Sequence, residues 1–104
     1  MNEFNNSSPQ QDTKEIVLSN VKMIKKQNIN NQDYFIVFDN DGEQGNNAYF
    51  CFPSTTGLKP EQMERLDFNY QSITKIKLTY YEKEYNGKLG KYVIDFGLPA
   101  NEFN

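Results

Sequence analysis

Apolar and polar residues alternate most regularly between Ile73 and Leu98. From Thr74 onward, Ile76, Leu78 and Tyr80 fall on one side of a strand. Lys75, Lys77, Thr79, Tyr81, Lys83 and Tyr85 fall on the other, because successive side chains point to opposite faces. The spacing predicts a strand over Thr74 to Tyr85, a turn at Asn86-Gly87 with Gly90 close behind, and a returning strand KYVIDFGL. Together they make a long β-hairpin. On the return strand the alternation predicts Tyr92, Ile94 and Phe96 on one face.

Earlier in the chain the pattern is less clean. A strand is predicted over Glu15 to Gln27, but its apolar positions change parity at Ser19-Asn20. A β-bulge there would restore one inward face. The run DYFIVFD, Asp33 to Asp39, is apolar on both faces and ends at Asn40-Asp41-Gly42, a turn signal. A third strand, Ala48 to Phe52, is closed by Pro53. One segment has helical spacing. Pro60 suits a first helical position, Glu61 and Glu64 favour the first turns, and Met63 and Leu66 share a face. That helix ends near Phe68, and Lys59 is a poor N-cap.

The predicted order is strand, strand, strand, short helix, strand, strand. With 8 Phe and 7 Tyr against an overall hydrophobic share of 37%, the core rests on aromatics and β-branched residues, which favour strands. The fold class expected is all-β with one short helix. The 104 residues suffice for one domain, expected over 14–98. Residues 1–13 read as a disordered polar tail and 99–104 as a short C-terminal tail. Asn-Glu-Phe-Asn occurs at both ends, as Asn2 to Asn5 and Asn101 to Asn104. Chance in an Asn-rich chain accounts for that; a docking peptide read through Phe103 is the sharper alternative.

The element order, the bulged first strand and the helix between strands three and four resemble the OB-fold. Small single-stranded-DNA-binding proteins of phages and plasmids are similar in size and tail arrangement. The resemblance covers about residues 15 to 98 and rests on no strict motif. It implies a five-stranded, partly open Greek-key barrel with its ligand across strands two and three, between the first and fourth loops. Here those loops are Lys25 to Gln32 and Asn86 to Lys91. It further implies non-catalytic binding of single-stranded nucleic acid, ssDNA above all, in plasmid or phage DNA replication or transfer.

Charge complicates this expectation. The formal net charge is -3, which disfavours general polyanion binding. Its distribution is uneven. From Lys14 to Gln32, Lys14, Lys22, Lys25 and Lys26 stand against Glu15 alone. The middle is acidic, with Asp33, Asp39, Asp41, Glu43, Glu61, Glu64 and Asp67 against Lys59 and Arg65. From Phe68 to Leu98 the chain carries Lys75, Lys77, Lys83, Lys88 and Lys91 against Glu82, Glu84 and Asp95. Folding can gather the two basic segments on one face.

Several chemistries are excluded by composition. With no His and one Cys, neither a Ser-His-Asp nor a Cys-His centre can form within one chain, and a zinc site is chemically poor. A lone Cys forms no internal disulfide, which suits a reducing, cytoplasmic setting. No apolar run spans a membrane, and the polar N-terminus does not read as a secretory signal. Asp39, Asp41 and Glu43 echo part of a calcium loop but read as a turn. A single arginine, Arg65, leaves phosphoryl chemistry without its usual charge clamp. No enzyme, cofactor or metal is expected.

The candidate binding residues are therefore lysines and rings. Lys25, Lys26, Lys75, Lys77, Lys83, Lys88 and Lys91 are assigned to phosphates, and Tyr34, Phe38, Tyr49, Tyr81 and Tyr85 to base stacking. Each has a plainer reading: lysines protect an edge strand, and rings fill a core. The parity of strands two and three stays open. A buried Cys51 turns Phe50 and Phe52 outward, whereas an inward Ala48, Phe50 and Phe52 leave Tyr49 exposed. Homo-oligomerisation would raise affinity by avidity. The competing expectation is a protein-interaction module or inhibitor from a mobile element, using the acidic segment, the exposed aromatics or the C-terminal tail.

Overall fold

The computed structural model describes residues 12–42 and 47–99. The fold is mostly β with one short helix. Its elements are β1 (Thr13–Leu18), β2 (Val21–Gln27), β3 (Asp33–Asp39), β4 (Ala48–Cys51), α1 (Pro60–Asn69), β5 (Ile76–Tyr85) and β6 (Lys88–Gly97). Among the described residues the six strands form one mixed sheet in the order β1-β5-β6-β4-β3-β2. Every pairing is antiparallel except β4 with β6, which is parallel.

The core sits on one face of this sheet. Alternation places Phe35 and Val37 of β3, Tyr49 and Cys51 of β4, and Ile76, Leu78 and Tyr80 of β5 inward, all buried. Helix α1 closes one end. Pro60 starts it, the Gln62 Oε1 accepts the Lys59 backbone N–H at 2.9 Å, and Leu66 is fully buried in the core. That reciprocal bond supplies half of a capping box where Lys59 has no oxygen to offer. The β5–β6 hairpin turns through Asn86 (φ 53°) and Gly87 (φ 81°). Positive φ at both central residues matches the twist of the flanking strands. No helix among the described residues is long and apolar enough to cross a membrane.

Four expectations are corrected. The sheet has six strands and is not closed into a barrel, where a five-stranded, partly open barrel was expected. Ser19 and Asn20 are exposed and end one strand before the next begins, so the parity change is met by a break and a change of partner. β1 and β2 consequently occupy the two opposite edges. Thr74 lies outside β5, which starts at Ile76, and its carbonyl accepts the Val21 N–H at 2.9 Å. The predicted face of Tyr92, Ile94 and Phe96 is split by a register shift. Thr79 pairs with Asp95 and Tyr80 with Val93, leaving Ile94 as the extra residue. Phe96 then joins the core while Tyr92 faces outward. β1 itself begins at Thr13. The two Asn-Glu-Phe-Asn segments and Glu43 lie outside the described residues.

Candidate nucleic-acid interface

Antiparallel partners share a face, so the ladder registers define the outer surface. One row crosses the sheet: Ile24 opposite Ile36, Ile36 opposite Phe50, Phe50 opposite Tyr92, and Tyr92 opposite Tyr81. Ile36 is buried yet stands apart from the main core cluster, as expected for a residue on the face opposite the core. Lys26 pairs with Tyr34 and Lys22 with Phe38, flanking this row.

The rings of this face touch in series. Tyr34 and Phe52 are 4.9 Å apart between centroids, Phe52 and Phe50 5.8 Å, Phe50 and Tyr92 5.9 Å, and Tyr92 and Tyr81 5.6 Å. Tyr85 meets Tyr92 edge-on at 5.9 Å. Six rings from β3, β4 and its end, β5 and β6 thus form one path, with Tyr92 in contact with four of the others. All remain partly or fully exposed. A cleft of about 390 Å³, lined by Ala48, Phe50, Tyr85, Lys88, Leu89, Gly90, Lys91 and Tyr92, opens at the hairpin end of the path.

Charge is distributed unevenly around it. The Lys83 Nζ lies 5.1 Å from the Tyr85 ring centroid, a cation–π distance. Lys88 pairs with Tyr85 and lines the cleft. Lys91 has the opposite parity, its Nζ 5.3 Å from the ring of the buried Tyr49, although it too borders the cleft. Partial burial pushes the Tyr92 phenol above its ordinary pKa; the neighbouring Tyr85 and Tyr81 add to this and Lys83 opposes it. The phenol is therefore neutral at physiological pH and presents no charge to an approaching anion.

The structure sorts the predicted residues into three groups. Tyr34, Phe38, Tyr81, Lys83, Tyr85, Lys88 and Lys26 lie on the outer face or its margin, and Lys91 borders the cleft. Lys75 and Lys77 lie at the far end of the β5 segment, beside a separate apolar groove with Val17 and Leu98. Lys77 also contacts Glu15 at 3.4 Å. Lys25 faces α1, where it contacts Asp67 at 2.6 Å and Asp33 at 3.5 Å; these partners raise its pKa, the Asp67 hydrogen bond first. Tyr49 is corrected outright: it is only 4% exposed and packs edge-on against Tyr80 at 5.1 Å. A fully buried Cys51 fixes that parity, so Phe50 and Phe52 take the outward positions. The first predicted ligand loop is largely self-satisfied, the Asn28 Oδ1 accepting the N–H groups of Asn30 and Gln32 at 2.8 and 3.0 Å.

Phe50, Phe52 and Tyr92 were not among the residues assigned from sequence. For the two phenylalanines the signal was present in Cys51. For Tyr92 it was hidden by the register shift at Ile94. No protein-family model, characterised protein or solved structure matches this chain.

Proposed function

We propose that the protein binds single-stranded nucleic acid, ssDNA in the first instance, without catalysis and with little sequence preference. The observation that carries the reading is the continuous path from Tyr34 through Phe52, Phe50 and Tyr92 to Tyr81. Aromatic faces accept any base, at about 1–3 kcal/mol per stacked base. Lys22, Lys26, Lys83 and Lys88 border that path and neutralise phosphates, releasing counterions. Partial exposure of so many rings is otherwise unfavourable for an isolated domain.

The proposed fold reading is OB-like connectivity. Counting β1 and β2 as one interrupted strand gives first strand, second, third, fifth, fourth and first again, with the third and fifth parallel. In such folds the outer surface of the second and third strands receives oligonucleotides, which is the side that carries Tyr34, Ile36 and Phe50 here. Several copies side by side would strengthen a single modest surface.

The protein-interaction alternative relies on the acidic middle segment. Asp33 and Asp67 are engaged by Lys25, and the Asp39 Oδ1 accepts the Asp41 N–H at 3.0 Å. These contacts reduce the free acidic surface and favour the nucleic-acid reading.

The deciding experiment is a titration followed by tyrosine emission, the chain having no Trp. Oligo-dT, mixed ssDNA, RNA and duplex DNA are compared at low and high salt. The expected result is binding of single strands over duplex, weakening steeply with salt. Absence of single-strand binding at low salt overturns the proposal.

A further inference from the structure

Tyr92 lies flat along its own strand, over Gly90. A Cβ built on Gly90 would overlap the phenol, lying 2.7 Å from Tyr92 Cζ and 2.8 Å from Cε2. The backbone does not call for glycine here: positive φ among the described glycines belongs to Gly87. The empty space above Gly90 is instead filled by a ring, and that ring joins Phe50 of β4 to Tyr81 of β5.

We propose that Gly90 is a positioning residue for the single-strand surface, acting through Tyr92. This rests on the reading of that face as a binding surface. The clash involves the far end of one side chain and no backbone, so a methyl group at Gly90 displaces the ring without disrupting the ladder. Strands also tolerate alanine better than glycine. Glycine at this site thus trades strand stability for a ring held flat between its neighbours. Once lifted, Tyr92 no longer bridges β4 and β5, and the path is cut in two beside the cleft.

The test uses G90A, with G97A as the control, since Gly97 lies at the other end of β6 and a Cβ there meets only Lys77 Cβ at 4.0 Å. NMR of the free proteins reads Tyr92 ring contacts to Phe50 and Tyr81, and a dT titration reads affinity. In G90A the expected results are an intact sheet, loss of the ring contacts, and affinity reduced about tenfold; G97A keeps both ring contacts and affinity. Ring contacts unchanged in G90A overturn the proposal, as does unchanged affinity in a wild-type background that binds. If the wild type binds no single strand, the functional reading falls, and the binding role assigned to Gly90 falls with it, while the NMR contacts still decide whether Gly90 sets the ring's position.

Discussion

The rings of Phe50 and Phe52, two residues apart at the outer side of β4, lie 5.8 Å apart and within 2° of parallel. Two parallel aromatic faces packed between Tyr34 and Tyr92 offer a ready platform, because no side chain has to be reordered before a base arrives.

Truncating that platform should weaken binding with little effect on stability. F50A and Y92A are each expected to reduce dT affinity by about 1–3 kcal/mol. Isothermal titration beside thermal melts checks both parts. A large drop in melting temperature with unchanged affinity would move the rings from surface to scaffold.

The lysines divide by location. K83A and K88A should each lower the magnitude of the log K against log salt slope by about 0.7. K25A should leave affinity and slope unchanged, since Lys25 is held by Asp67 and Asp33 beside α1. Titrations at several salt concentrations distinguish these outcomes.

Tyr49 belongs to the scaffold. Y49A should destabilise by about 3–5 kcal/mol and L66A by about 2–5 kcal/mol, given that both side chains are buried. Urea unfolding measures each. Y49F keeps the ring and should stay close to wild type in both stability and dT binding.

Burial pushes the Cys51 thiol from 9.0 up to about 12. Below pH 9 both folded and unfolded chains keep the proton. Between those values the unfolded chain releases it while the folded chain does not, so stability falls as pH rises. Lys14 and Lys25, both raised above 10.5, the first chiefly by its hydrogen bond to Glu82 and the second by that to Asp67, act in the same direction at the upper end. Urea midpoints from pH 8 to 11 should decline, and less steeply in C51A. At pH 8 a thiol reagent should modify native Cys51 only as fast as the protein opens.

Much of the scaffold was legible in the chain. Ile76, Leu78 and Tyr80 announced the inner face of β5, Asn86-Gly87 the hairpin turn, and Pro60 with Leu66 the helix. The interface was half legible. Clean alternation on β5 exposed Tyr81, Lys83 and Tyr85, but β3 is apolar on both sides, so Tyr34 and Phe38 carried no parity of their own. Choosing Tyr49 over Phe50 followed the preference of a phenol for solvent; the smaller Cys51, buried two positions from Tyr49, determines the face instead. Ile94 hid Tyr92, since an extra residue in one strand is set by pairing with a partner and leaves no mark on the strand itself. The ion pairs of Lys25 with Asp67 and of Lys77 with Glu15 could not be read from the chain for a different reason: they depend on which elements meet in space.

Ser19 and Asn20 connect two strands anchored at opposite margins of the sheet. Peeling β2 from β3 pulls on the segment that holds β1 against β5, and the reverse is equally true. The two margins are thus joined through the chain itself, with Thr13, the ladder partner of Tyr81, before the link and Lys22 and Lys26 after it.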